Sequence, residues 1–431
     1  MYKISHQPLK ILLTIFISLL IYLHVLFIIT QDPLDVTVLQ NYITKKSFSK
    51  VPFIYKSDIF SRNDTDRITL ILHSSYEYIS NDLKTHLYNW DGPISLAITF
   101  GEKISKISVE TSCMLYFLDN LYFEIREAKE KLSAHFLYTI PTDNYIVHDI
   151  YSFKEEVKFY FKIKNYSLTC GGIINKNVSM FDKAKQLNNY PINVARNFAR
   201  QYSNSKYILI ADMNHLFSKN FEKKMINLGE KFLSKKGKYA LTYRIFEISK
   251  NITLLPERKG LLEKYIKEKK AFEFHHYMSA HKIPLLNDWL LYPEKDDDDT
   301  KYQFITNLSN SQWEPQFVSL TDIPYHDESF FYPVRDNTVL RWEMCYQEYQ
   351  FVIAHDVFMF HQGIKSYDES MSVKLAKDNI FPLAVRAMDN FEKRMIKTYP
   401  SDFNCPKPDK YGYGPGLKVR SYLNFQKIFG Y

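Results

Sequence analysis

The chain is short of cysteine, glycine and hydrolase signatures, and each shortage removes a class of protein. Four cysteines in 431 residues, Cys113, Cys170, Cys345 and Cys405, are too few and too scattered for a disulfide-built scaffold or a zinc ribbon. They suit one or two bridges in an oxidising compartment, with three pairings open if all four are used. Twelve glycines and 17 prolines exclude a collagen-like or low-complexity chain. Neither a nucleophile elbow nor an H-E-x-x-H helix occurs, which leaves an unrelated hydrolase without support. The formal charge of +8 comes mostly from dispersed lysines, so no nucleic-acid surface is expected; a solvated surface accounts for it, with some attraction for an anionic donor or acceptor. The acidic stretch Glu294 to Thr300 holds four adjacent aspartates and reads as a solvated, self-repelling loop.

Apolar residues make up 45% of the chain and aromatic residues 16%, enough to bury a large core. Ile11 to Ile29 runs apolar for about nineteen residues, the length that spans a bilayer. Lys3 and Lys10 precede it, whereas QDPLDVTVLQ after it carries Asp32 and Asp35 and no Lys or Arg, so the positive-inside rule keeps the N-terminus cytosolic and the rest lumenal. A cleaved signal peptide competes with this reading, but no small-x-small site followed by a break comes after Ile29. Five N-x-[ST] acceptors, Asn63, Asn165, Asn177, Asn251 and Asn307, fit a secretory route. The expected layout is a cytosolic tail (1–10), a signal anchor (11–29), a polar stem (30–65), a globular domain (66–405) and a C-terminal tail (406–431), in a single-pass type II protein.

Within the globular domain, ITLILHSS from Ile68 reads as a buried strand, a helical stretch follows to Trp90, and ISLAITF from Ile94 is a second strand after the turn Asp91-Gly92-Pro93. Alternation continues through a helical region at 105–131 and a strand near Ala134 to Tyr138, which predicts an α/β fold with a mostly parallel sheet flanked by helices. The most informative segment is YPINVARNFARQYSNSKYILIADMN, Tyr190 to Asn214. On a helix, Val194, Ala195, Phe198, Ala199 and Tyr202 share one face, while Asn193, Arg196, Asn197 and Arg200 share the other. Tyr207 to Ala211 then makes a strand covered on both sides, and ligands collect beyond the C-terminal ends of such strands.

Asp212 and Asn214 stand at that end. In an extended segment their side chains point the same way, so two oxygens could meet one hard cation; a plain turn is the other reading of Asp and Asn after a strand. Far along the chain, VFMFHQGIK places His361 after an apolar strand, Gly363 where backbone must approach closely, and Lys365 within reach of a phosphate. Asp368 to Tyr399 reads as a helix around Pro382.

Taken together, ITLILHSS, WDGPISLAITF, YPINVARNFAR with YILIADMN, WEPQFVSLTDIPYHDESF, YQFVIAHDVFMFHQGIK and the late YPSDFNC resemble glycosyltransferase family 49, in its β-1,4-glucuronyltransferase and LARGE C-terminal-domain branches, from about Ile68 to Cys405. The resemblance implies a GT-A-type fold, a UDP-sugar donor with glucuronate as one candidate sugar, a glycan or glycoprotein acceptor, Mn2+ as cofactor, and a Golgi membrane location. Carried over, Asp212, Asn214 and His361 would bind the metal; His73 and Ser74 would meet the nucleoside; Arg196, Asn197, Gly363 and Lys365 are donor contacts. Transfer in the family inverts the anomeric centre, so a carboxylate should deprotonate the acceptor, with Asp327 and Glu328 as candidates. Two departures stand out. The family usually has Asp where this chain has Asn214, and HHYMSAHKIPLLNDW lacks the family's cysteine pair while keeping Phe274-His275 and Trp289. They motivate a second reading, a catalytically silent relative that binds glycan or regulates an active enzyme.

Overall fold

A computed structural model describes residues 47–408, apart from 80–81, 103, 141–145, 164–168, 172–177, 235–236, 295–299, 365–369 and 400–404. The segment expected to be a signal anchor, Asn165, Asn177, the aspartate run and Lys365 lie outside the described residues. Among the described residues no helix is long and apolar enough to cross a membrane.

One sheet of eleven strands organises the domain. In chain order they are β1 (Ser47–Tyr55), β2 (Ile68–Ser75), β3 (Ile94–Phe100), β4 (Leu132–Ile140), β5 (Tyr207–Ile210), β6 (His215–Phe217), β7 (Tyr239–Ile248), β8 (Ala271–Glu273), β9 (Tyr302–Thr306), β10 (Gln316–Leu320) and β11 (Gln350–Gln362). Their spatial order is β1-β4-β3-β2-β5-β10-β7-β11-β6, with β8 beside β7 and β9 beside β11. The expected mostly parallel sheet is corrected to a mixed one. β4-β3-β2-β5 is a parallel block, as the β-α-β opening requires, and β7-β11 is parallel. β10 inserts antiparallel between β5 and β7, and β1, β6, β8 and β9 all pair antiparallel. Short strands such as β6 and β8 carry too few residues for a periodicity to register.

The parallel block is covered on both faces. Leu70, Leu72, Leu96 and Ile98 belong to one apolar cluster, whereas Ile71, Ala97 and Ile208 belong to the cluster on the other side. Period-two alternation sorts continuous apolar runs in this way, and it explains why β3 is buried at every position.

Ser47–Tyr55 falls in the segment assigned from sequence to the stem, yet it forms the edge strand against β4, from Ser47 opposite Ile140 to Tyr55 opposite Ala134. Lys50 and Pro52 break its pattern, and both are tolerated here because an edge strand leaves one side unpaired and its register slips between Val51 and Tyr55. Two disulfides, Cys113–Cys170 and Cys345–Cys405, select one of the three pairings.

The Ile192–Gln201 helix positions the site. Its apolar face, Val194, Ala195, Phe198 and Ala199, joins the cluster on the β2–β3 side. Its polar face is buried as well, under the chain at 321–336. Arg200 donates to the carbonyls of Thr321 (2.7 Å) and Pro324 (2.6 Å), and Asn193 donates to that of Asp327 (2.8 Å). Asn197 donates to the His326 carbonyl (2.8 Å) and accepts from the His326 amide (3.0 Å). Three of the four polar side chains of that face, Asn193, Asn197 and Arg200, therefore clamp successive pieces of the WEPQFVSLTDIPYHDESF segment, satisfying backbone groups that burial would otherwise leave unpaired. The Met371–Thr398 helix, with Pro382 inside it, seals the same side through Met388, Phe391 and Met395.

Candidate active site

The C-terminal ends of β2 and β5 lie side by side. The Ala211 amide donates to the Ile71 carbonyl at 3.0 Å, and the chain then turns away from the sheet at Asp212. His73, near the end of β2, faces Asp212 with Nε2 3.5 Å from Oδ1, while the Tyr190 hydroxyl lies 2.7 Å from its Nδ1. The stretch after Ala211 is a turn rather than extended chain: the His215 amide donates to the Asp212 carbonyl at 3.1 Å, and the Asp212 amide donates to His215 Nδ1 at 3.2 Å. The alternation argument for Asp212 and Asn214 is corrected on this point, since a turn and not a strand follows Ala211, and alternation therefore does not align the two side chains. Because Nδ1 of His215 accepts, its neutral ring carries the proton on Nε2, 3.8 Å from Asp212 Oδ2. Arg196 Nη2 is 4.0 Å from Oδ1.

Asp212 is thus ringed by donors, yet its side chain keeps 54% exposure, so a ligand can still reach it. Desolvation alone would push its carboxyl up, but the His73 and His215 imidazoles and the Arg196 guanidinium beside it together hold it well below the usual carboxylate range. Burial pushes the His73 imidazole down, with Asp212 opposing.

The second half of the site comes from β6, β11 and β7. His361 on β11 lies opposite His215 on β6 and in register with Glu247 on β7. Leu216, Phe246 and Phe360, one residue removed on each strand, pack with Trp289 in a separate apolar cluster. Alternation therefore turns His215, His361 and Glu247 to the opposite face, the one lined by Phe217, Ile245 and Met359. The ring of Phe274 lies over this row, 5.7 Å from the His361 centroid and 6.1 Å from that of His215. Nδ1 of His361 is 2.9 Å from the Gly363 carbonyl, so it donates and Nε2 becomes the lone-pair nitrogen of the neutral ring. Gly363 itself sits at φ +112° and donates to the Ile248 carbonyl at 2.7 Å, a conformation that favours glycine. Among the described residues no three His, Cys, Asp or Glu side chains are close enough to hold an ion unaided.

The remaining sequence-predicted residues occupy varied positions. Ser74 is buried and its hydroxyl donates to the Ser75 carbonyl at 3.0 Å. Arg196 is buried in an ion pair with Asp336 at 2.9 Å. Asn197 is occupied by His326 and by Glu328 Oε1, 2.9 Å away. Asp327 accepts from the Ser329 amide (2.9 Å) and pairs with Arg394 (2.8 Å), whereas Glu328 is exposed. Sequence reasoning missed His215, Glu247, Tyr190 and Asp336, together with His275 and His281, whose rings lie 4.2 and 5.0 Å from Phe274. Three histidines in HHYMSAH were the available signal.

A carboxylate ringed by donors beside a histidine row thus stands at the strand ends of a mixed α/β sheet, and comparison with known families gives the family of the chain. The family described as glycosyl-transferase for dystroglycan matches residues 67–400, and the chain belongs to it, glycosyltransferase family 49. Beta-1,4-glucuronyltransferase 1 of Danio rerio is 24% identical over 245 residues, 56% of this chain and 51% of that protein, so the chain spans about half the length of the curated relative it matches. Among solved structures, GalNAc-T7 with UDP, GalNAc and Mn2+ aligns over 84% of this chain and 54% of its own, at TM-score 0.37 and 8% identity. S. aureus TarS 1–349 in complex with UDP aligns over 84% and 72%, at TM-score 0.31 and 11% identity. These two are distant likenesses, and the family assignment rests on the sequence match.

Proposed function

We propose that the chain is a GT-A-type, lumenal glycosyltransferase of the Golgi membrane, moving a sugar from a UDP-sugar to a glycan or glycoprotein acceptor with inversion and with a divalent cation such as Mn2+. The observation that carries this reading is the strand register that sets His361 opposite His215, the residue next to Asn214 and three beyond Asp212. A carboxylate held ionised, an amide oxygen, and an imidazole whose Nδ1 donates to a backbone carbonyl form a donor set that suits such a cation. Asp212, Asn214 and His361 would hold it, with diphosphate oxygens completing the shell. Bound there, the cation would neutralise charge on the departing UDP.

The chain's own groups supply the rest. His73 and Arg196 border Asp212 and would orient the donor, and Phe274 closes the row from above, keeping water from His361. The acceptor hydroxyl would lose its proton to a carboxylate as its oxygen attacks C1. Of the two candidates, Glu328 keeps the more open carboxylate, because Asp327 is engaged by Arg394 and Ser329. UDP-glucuronate is the first donor to try, given the Danio rerio relative's name.

The test is Mn2+-dependent binding of UDP and UDP release from a panel of UDP-sugars, for wild type and Asp212→Ala. Loss of both in the variant is expected. Absence of metal-dependent UDP binding in wild type across the panel would favour the silent relative, a reading that rests on Asn214 and on the His73, His215 and Arg196 groups gathered around Asp212.

A further inference from the structure

Strand β9 lies at a rim of the sheet; among the described residues it pairs only with β11. Its sequence, Tyr-Gln-Phe-Ile-Thr, holds neither charge nor proline, the usual devices that stop an edge strand from recruiting another chain, and Tyr302 and Ile305 are 49% and 38% exposed. The chain leaves β9 through Asn307-Leu308-Ser309. Leu308 turns inward to the core, whereas Asn307 and Ser309 are exposed. Asn307 Oδ1 accepts from Gln350 Nε2 at 3.4 Å, a contact that engages the amide oxygen and not the nitrogen to which a sugar would be joined.

Position separates this acceptor from the cleft. Thr306 pairs with Phe351 near the start of β11, and His361 lies at the other end of that strand, roughly 30 Å away along an extended chain. A large substituent on Asn307 therefore leaves the cleft open. Asn251, by contrast, follows the end of β7 at Ile248, whose carbonyl accepts from Gly363, and so lies beside the cleft.

We propose that Asn307 carries an N-linked glycan that shields the β9 edge from pairing with a second copy of the chain. The transfer forms a bond between the sugar C1 and Asn307 Nδ2, breaks the bond from C1 to the diphosphate oxygen of a polyprenyl-diphosphate-linked oligosaccharide, and releases the polyprenyl diphosphate as the amide loses a proton. It draws on the lumenal route proposed above, but not on the identity of the donor or the metal.

The experiment is glycopeptide mass spectrometry and light scattering on the full chain from a eukaryotic secretory host, with Asn307→Gln and Ser309→Ala. Wild type should carry a glycan at Asn307. Both variants should lose it and self-associate beyond the wild-type state while binding UDP unchanged, and adding Ile305→Lys to Asn307→Gln should restore wild-type size. Glycans at Asn63 or Asn251 with Asn307 bare would overturn the proposal. So would the absence of glycan at every acceptor, which alone would also remove the lumenal route. If Asn307 is modified but both variants stay as dispersed as wild type, the shielding role is wrong.

Discussion

His361 and His215 face each other across β11 and β6 with opposite proton assignments. The ring of His215 accepts an amide at Nδ1 and turns its Nε2 proton to Asp212; the ring of His361 donates at Nδ1 to Gly363 and keeps its lone pair on Nε2. Two imidazoles that look interchangeable in sequence therefore have different capacities, one as a hydrogen-bond donor to a carboxylate, the other as a ligand for a cation.

The difference should appear in titration. His361→Ala is expected to weaken Mn2+ binding in the presence of UDP by about 100-fold or more, and His215→Asn by about 10-fold, a typical loss when a ligand's orienting partner is removed. Calorimetric titration of Mn2+ into enzyme with UDP measures both. Equal losses in the two variants would mean that neither ring is distinguished as a ligand.

Asn214→Asp places a second carboxylate beside Asp212 in a turn where His215, His73 and Arg196 already supply positive charge or donors. The added charge should tighten Mn2+ binding by about 10-fold, since hard cations gain from each anionic oxygen. Turnover should rise with it if metal occupancy is limiting. The readout is the Mn2+ concentration giving half-maximal UDP release; no shift, or a weaker site, would show that Asn214 does not reach the ion.

Legibility from sequence followed how locally each feature is determined. β2, β3 and the Ile192–Gln201 helix were readable because an apolar run and a two-faced helix are signals contained in a few residues. β10 was not, because its antiparallel insertion between β5 and β7 depends on partners distant in the chain. The polar face of the helix was visible, but its meaning was not: Asn197, expected as a donor contact, instead holds the 321–336 segment together with Asn193 and Arg200. Asp212 and His361 were found as single residues with metal-capable chemistry, whereas Glu247 and Tyr190 become neighbours of the site only through sheet register and packing.

Arg196 joins the site to the core. Its guanidinium lies 2.9 Å from Asp336, 3.0 Å from the Asn193 side chain and 4.0 Å from Asp212, with the whole residue buried. Burial pushes the Asp336 carboxyl up, and Arg196 opposes that rise. Arg196→Met leaves this carboxylate without its cation and should cost about 3–5 kcal/mol of unfolding free energy, as breaking one side of a buried pair does. Adding Asp336→Asn removes the stranded charge and should recover at least half of the loss. Urea unfolding of wild type, the single variant and the double variant decides the matter; a single variant as stable as wild type would show that water reaches the pair.

His135 is buried, its Nδ1 accepting the Phe53 amide at 2.9 Å. Its Nε2 lies 3.0 Å from Ser95 Oγ, whose own proton goes to the Ala199 carbonyl at 2.7 Å, so Nε2 must donate. Both nitrogens of the neutral ring are thereby used, and protonation would set N–H against the Phe53 N–H. Desolvation pushes this imidazole down to about 3, whereas in the unfolded chain it titrates near about 6.5. Between those values the unfolded state binds a proton that the folded state refuses. The contribution of His135 to stability is therefore complete above about pH 6.5 and declines as pH falls towards 3, by about 1.4 kcal/mol per unit. His135→Gln keeps an acceptor and a donor but cannot titrate. The slope of unfolding free energy against pH between 6 and 4 should be shallower in the variant by about that amount per unit, while carboxylates elsewhere contribute equally to both proteins. Parallel slopes would mean that the ring is already solvated in the native state and that the contact between β1 and the end of the Ile192–Gln201 helix opens readily.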